Sequence, residues 1–398
     1  MRYAIPGNNT DSGNPSFYAD HKRHWWLFSL FVPLLTVIGP VMYMIEANTW
    51  FLVIPFVIFY GAVPLIDMII GEDESNPPEV VVPQLEADDY YRYTTYALVP
   101  VLIGAFIFTA WFVGSHSLTW FEIILTSLSC ALICGFGLNL GHEMGHKKNS
   151  LDRWLAKIIL SLGAYGHFNI EHNRGHHKEV ATEDDSASSK MGETIYIFML
   201  REMPGGFFRA WNLEKNRLEK KGLSCWSLKN EIIQPGLMTL VFYSALFIAF
   251  GAVMIPFLFI VMFYGAFQLT SANYVEHYGL LRKKLDNEHY ERCQPHHSWN
   301  SNHKVSNWIL FHLQRHSDHH ANSARRFQSL RHFENAPQLP NGYFGMFVMA
   351  YIPVLWRRIM DPRVVEWAKG DLTRVNMYGP KKAALMQQYH CEPELEVA

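Results

Sequence analysis

The stretch from Pro235 to Tyr278 carries a single charged side chain, Glu276. A run this long and apolar cannot form the surface of a water-soluble domain. It also exceeds one helical crossing of a membrane, which takes about 20 apolar residues. A break near Gly251 to Pro256 divides it into 236–252 and 256–278. Four further runs meet the same criterion: 25–45, 50–70, 93–113 and 120–140. The expectation is an all-α, polytopic membrane protein with six transmembrane helices and a histidine-rich helical region on the cytoplasmic side. Charged residues make up only 18% of the chain, below the roughly 25% usual in globular proteins. A net charge of −2 gives no electrostatic case for nucleic acid.

Residues 1–24, polar and containing Gly and Pro, read as a flexible cytoplasmic leader. Residues 25–372 read as one membrane-embedded domain and 373–398 as a C-terminal tail. Two shorter apolar runs remain. Residues 154–166 suit a buried or re-entrant helix, and 342–356 suit a helix lying in the membrane interface. The connections at 46–49, 114–119 and 252–255 contain no Lys or Arg, whereas the leader, 141–234 and everything after 279 are rich in both. The positive-inside rule then puts both termini and the long loop in the cytoplasm. The five Cys form no CxxC pair, which argues against a thiolate metal site or a disulfide framework. Cys130 and Cys134 read as small buried hydrophobes.

The 20 His are the compositional outlier, and they cluster. GHEMGHKK holds His142 and His146; EHNRGHHKE holds His172, His176 and His177; NYVEHYG holds His277; FHLQRHSDHH holds His316, His319 and His320. Spacings of three and four residues put side chains on one helical face, as two ligands to one metal require. Adjacent HH pairs point about 100° apart on a helix and can serve different ions. These clusters begin at or follow the ends of apolar runs on one side of the membrane. His167, His289, His312 and His332 read as structural, with His296, His297 and His303 favouring structural or supporting roles. His21, His24, His116 and His390 carry no pattern and read as solvated or interfacial.

Nine patterned imidazoles are too many for one zinc, which takes four ligands. Imidazole also suits copper, iron and nickel. A site in an apolar bundle points to a lipid-soluble substrate and to oxidation, hence to a redox metal; iron fits best. Glu143, Glu171, Glu276 and Asp318 are candidates to bond ligand ring N–H groups or to ligate iron themselves. HEMGH also fits a zinc-protease pattern with Glu143 as general base, but that reading leaves the other clusters without a role.

HEMGH, HNRGHH and HSDHH resemble the three histidine boxes of the integral-membrane diiron desaturases and hydroxylases. The fuller wordings GHEMGHKK, EHNRGHHK, LTSANYVEHYGL and LQRHSDHHA resemble the bacterial alkane hydroxylases among them, over roughly 18–372. The resemblance implies a multi-pass protein of the bacterial cytoplasmic membrane whose nine histidines hold two iron ions, with no flavin or haem. It implies terminal hydroxylation of medium-chain n-alkanes with O2. Electrons would come from rubredoxin, itself reduced by an NADH-dependent reductase, because the tail HCEPELEVA carries no paired CxxC. Lys147, Lys148, Arg325, Arg326 and Arg331 could dock an acidic donor. A related desaturase or arene side-chain hydroxylase is the nearest rival. Trp50 and Phe59 are the residues expected to line or cap an alkane channel and limit chain length.

Overall fold

The computed structural model describes residues 1–9, 15–286 and 289–389. The described chain is mostly helical, with almost no sheet. A 3-10 turn, Trp25–Phe31, leads at a 43° bend into α1, Leu35–Glu46. It is followed by α2 (Thr49–Ile70), α3 (Asp89–Ser115), α4 (Trp120–Gly145) and α5 (Ser150–Leu162). Helix α6 is composite: Phe168–Glu171, a π-helical turn His172–His176, then His177–Glu179. Beyond it lie α7 (Ile195–Glu219), α8 (Ile233–Phe250), α9 (Met254–His277), α10 (Lys304–Ile309), α11 (His316–Ala321), α12 (Tyr343–Ala350) and α13 (Pro353–Trp367).

Four helical stretches are long and apolar enough to cross a membrane: α2, α3, α4 and Ile233–His277. The bent pair ending in α1 makes a fifth. The expected division of 235–278 falls where Gly251 takes φ +76°, a conformation that only glycine adopts freely. A short 3-10 turn, Gly251–Val253, then joins α8 to α9.

Side-chain contacts fix how these helices lie. At one end, Thr49 donates to Glu122 (2.6 Å), Tyr43 packs edge-on against Phe112, and a Cβ on Gly114 would meet Phe250 at 2.4 Å. At the other end, Asp67 of α2 accepts from Val305 N (2.8 Å) and from the Ser306 hydroxyl, and Lys157 donates to Gln234 (2.6 Å). His142 and His277 sit at this second end, on the last turns of α4 and α9. Those two helices pack closely because each presents a glycine at the contact: a Cβ on Gly135 would lie 2.5 Å from Gln268 Cβ, and one on Gly265 would lie 3.1 Å from Cys134 Cβ. Small residues of this kind bring helix backbones together where no hydrophobic force acts between them. The outward faces are apolar, with Ile69 and Ile248 each 83% exposed and Val241 70%. Exposed apolar surface on this scale marks contact with lipid or another apolar partner.

Two expectations need correction. The leader is not uniformly flexible: Arg2–Asn9 and Pro15–Ala19 pair antiparallel as β1 and β2, so the described chain is not strictly all-α. Burial of Tyr3 explains it. Its ring stacks on Tyr18, and its hydroxyl donates to Asp88 (2.8 Å), which also takes an ion pair from Arg23. The run at 342–356 is not one helix lying in the interface: it breaks after Ala350, and Ile352 and Val354 beyond the break are exposed. Tyr343, Phe344 and Phe347 of α12 are buried against the bundle, because their aromatic faces fill space beside α9. Cys130 and Cys134 are free and buried. His390 and Cys391 lie outside the described residues.

Candidate metal centre

Four helices bring the nine patterned histidines together. His142 and His146 stand one turn apart where α4 ends, and His277 ends α9. Helix α11 contributes His316, His319 and His320, and α6 contributes His172, His176 and His177. Their ring nitrogens form two groups. His142, His146, His172, His177 and His319 are one, and His176, His277, His316 and His320 the other. Within each, all ligand atoms lie within 4.8 Å of one another.

The division follows from helix geometry. On α11, His316 and His320 are four apart and share a face, their Nε2 atoms 2.9 Å apart. His319 points away to the other group, 2.9 Å from His142 Nε2. On α6 the spacing rule fails. An α-helix would align His172 with His176, but the π-helical turn aligns residues five apart. His172 and His177 therefore meet, Nε2 to Nε2, at 3.0 Å. His176 turns to His320 at 3.2 Å, and His277 reaches His316 at 3.3 Å. The groups touch where the His177 and His320 rings lie 4.5 Å apart.

Nine imidazole nitrogens converging this tightly fit metal ions better than they fit one another. A neutral imidazole has one donor and one acceptor nitrogen, so a cluster of acceptors has no shared proton economy. His146 Nε2 is buried without any hydrogen-bond partner. A five-imidazole group also exceeds the four-coordinate preference of zinc. The donor set fits iron, copper or nickel.

The carboxylates are sorted differently from the sequence expectation. Among the four candidates, Glu276 alone reaches a ligand ring, its Oε2 3.2 Å from His316 Nε2. Glu143 instead pairs with Lys147 (2.9 Å), and Asp318 grips Arg331 through both oxygens. Glu171 pairs with Arg209. Each lies beside a ligand in sequence, but its helix turns it toward a cation rather than a ring. The carboxylate that does orient a ligand is Asp185, whose Oδ2 lies 2.8 Å from His176 Nδ1. Burial alone would raise its pKa, yet His176 and Arg209 hold the carboxyl well below the usual range. Arg209 joins Asp185 (2.7 Å), Glu179 (2.8 Å) and Glu171. No spacing signal in TEDDSASS singles Asp185 out.

Three of the other histidines take structural contacts. His297 Nδ1 accepts from Gln294 N, His303 meets the Ser301 hydroxyl, and His312 bonds the Phe327 carbonyl.

A narrow apolar cavity lies among α2, α4, α9 and α12, and no histidine is among its lining residues. Phe59, Phe136, Asn139, Ala272, Leu310 and Tyr343 are among its walls. Asn139 is one turn before His142, and Ala272 lies on α9 ahead of His277. Phe59, 3% exposed, stacks on Phe344 with ring centres 5.2 Å apart. Trp50 does not line this space. It is 72% exposed at the end of α2 remote from the histidines, because its position in the first turn after Asn48 faces outward. The wall residues Leu310 and Tyr343 carried no sequence signal; their segments are short and their periodicity ambiguous.

Comparison with known proteins gives a consistent picture. A profile of the fatty acid desaturase family matches residues 118–350. Alkane 1-monooxygenase 1 of Alcanivorax borkumensis is 53% identical over 90% of this chain and 89% of its own. An alkane 1-monooxygenase of Pseudomonas putida is 51% identical over 94% and 92%. The hydroxylase component of xylene/toluene monooxygenase, also from P. putida, is 30% identical over 84% and 89%. With half of its residues shared across nearly its whole length, the chain belongs to the alkane 1-monooxygenases within the fatty acid desaturase family.

Proposed function

We propose that this protein hydroxylates the terminal methyl group of medium-chain n-alkanes to 1-alkanols. The overall reaction is R–CH3 + O2 + 2 electrons + 2 protons giving R–CH2OH and water. The electrons come from rubredoxin, reduced in turn by an NADH-dependent reductase. One observation carries the reading: two histidine groups gather at the ends of α4 and α9, beyond the stretches of those helices that line an apolar cavity, in a chain so similar to alkane 1-monooxygenases. The greater identity to these than to the arene relative favours alkanes over aromatic side chains.

In this reading the nine histidines hold two iron ions, one in the five-imidazole group and one in the four-imidazole group. Bound iron supplies the redox chemistry by which O2 attacks an unactivated C–H bond. The protein supplies position and dryness. Asp185 fixes the ring of His176 through Nδ1 and leaves Nε2 for the metal, as partners of ligating histidines do. The apolar walls admit an alkane chain lengthwise and exclude water. The contact of Phe59 with Phe344 limits how deep a chain can reach. Glu276 stands where it can orient or join the four-histidine group.

The protein crosses the bacterial cytoplasmic membrane six times in this reading, with both termini and the iron site in the cytoplasm. Two features support it: α8 and α9 each run between the two ends of the bundle, as α1 to α4 do, and loops without Lys or Arg sit at the end remote from the histidines. The protease alternative is disfavoured, since Glu143 is held by Lys147.

The test is product analysis. Purified protein in lipid nanodiscs, given iron, rubredoxin, rubredoxin reductase, NADH and octane, is expected to form 1-octanol. An alkene product, or no NADH-dependent product, would overturn the assignment.

A further inference from the structure

Helix α7 buries two carboxyl groups and treats them differently. Glu214 is paired with Arg174 and Arg217. Glu202 has only neutral partners, both on α9: Oε2 accepts from the Thr270 hydroxyl (2.7 Å) and Oε1 from the Asn273 side-chain amide (3.1 Å). The arginines nearest to it on α7 are turned elsewhere. Arg201 binds Glu193 and the carbonyls of Ser186 and Ser188, and Arg209 binds Glu171, Glu179 and Asp185. Among the described residues Glu202 forms no ion pair.

A buried carboxyl group without a cation favours its neutral form. Burial pushes the Glu202 carboxyl up to about 7. Thr270, Asn273 and the charge of Arg201 pull it down, while Glu171 of α6 adds to the rise. Tyr165, ahead of α6, also faces Glu202 and stays a neutral phenol. Both hydrogen-bond partners suit either protonation state. A hydroxyl donates or accepts, and an amide turned over offers its carbonyl in place of its NH2.

The position of this carboxyl matters as much. Asn273 stands one turn before His277 on the same face of α9, about 6 Å along the helix. On the other side, the flanking Arg201 and Met203 of α7 are half-buried and Pro204 is exposed. The proposed reaction takes up two protons in each turnover, and a ligating imidazole nitrogen carries none. We infer that Glu202, held by Thr270 and Asn273, stores a proton and delivers it to the histidine centre. The proton ends in the water formed in each turnover, and Glu202 is left as a carboxylate bonded to Thr270 and Asn273. It then takes a new proton from water at the outer face of α7. One bridging water suffices for such a transfer. The inference rests on the monooxygenase reading, because only a reaction that consumes protons needs this group.

The experiment compares Glu202→Gln with the wild type, both full-length and iron-loaded in nanodiscs. Glutamine has the same shape and keeps bonds to Thr270 and Asn273, so a structural role survives the change and proton delivery does not. Iron content, melting temperature and the KM for octane should stay as they are. With saturating rubredoxin, kcat for 1-octanol should fall about 100-fold. Wild-type kcat should fall as pH rises through about 7, because the proton-bearing form is lost, and that limb should vanish in the variant. Infrared spectra without substrate or NADH, over the same pH range, should show a protonated-carboxyl band that titrates in the wild type and is missing from Glu202→Gln. A glutamine variant with wild-type kcat, or no such band, would overturn the proposal. Should Glu202→Gln fail to hold iron, Thr270→Val decides. Losing a donor to the carboxylate should move the titration to higher pH, and an unmoved titration would overturn the proposal likewise. The infrared titration does not depend on turnover, so absence of 1-octanol from wild-type protein would count against the function and not against the proton site.

Discussion

Asp185 shows what a single residue does for this centre. It is buried, its Oδ2 meets His176 Nδ1 and the Ser188 hydroxyl, and its Oδ1 meets Arg209. Replacing it by Asn keeps the shape but loses the charge that polarises the ring. Partners of this kind are worth roughly 10–100-fold in metal affinity, so Asp185→Asn should lose iron to a chelator faster by about that factor. Iron retention equal to the wild type would remove Asp185 from the centre. Arg209→Lys should have a broader effect. A lysine is a point donor and cannot serve Glu171, Glu179 and Asp185 together, so iron should fall in both groups. The histidines of α4, α6 and α11 were legible from their clustering at near-helical spacings, and His277 from its place at the end of an apolar run. Asp185 reaches His176 through the fold of the chain after α6, and such an approach leaves no spacing in the sequence.

At the scale of elements, the π-helical turn of α6 decides which histidine joins which group. HNRGHH looks α-helical in sequence, so the pairing of His172 with His177 could not be read from spacing. The turn packs against Arg209 at Gly175, where an added Cβ would sit 2.7 Å from Arg209 Nε. Gly175→Ala should therefore displace Arg209, destabilise the protein by about 1–3 kcal/mol and lower iron content. A variant with normal melting temperature and iron would show that this packing is dispensable. Helices α2 and α12 set the other dimension, through the contact of Phe59 with Phe344. Phe59→Ala opens that contact, at a packing cost of about 3–5 kcal/mol. It should extend the accepted alkanes to longer chains in a competition assay. An unchanged chain-length profile would take Phe59 out of the limit. Phe59 was visible from sequence as an aromatic in an apolar run, whereas its partner lay in a segment that reads as a helix lying in the membrane interface.

For the whole molecule, the apolar runs gave the helical, membrane-embedded architecture directly, since a chain with exposed Ile69, Val241 and Ile248 has no other solvent. The hairpin at the N-terminus was hidden by its polar, Gly-containing composition. Topology can be checked by alkaline phosphatase fusions. A fusion after Ala47 should be active, and one after Lys220 inactive; the reverse pattern would place the histidines outside. The central claim is that nine histidines hold two irons, five to one and four to the other. Iron per chain, measured on purified protein that converts octane to 1-octanol, tests it most directly. Two irons per active chain are expected; one iron, or tightly bound zinc in active protein, would contradict it.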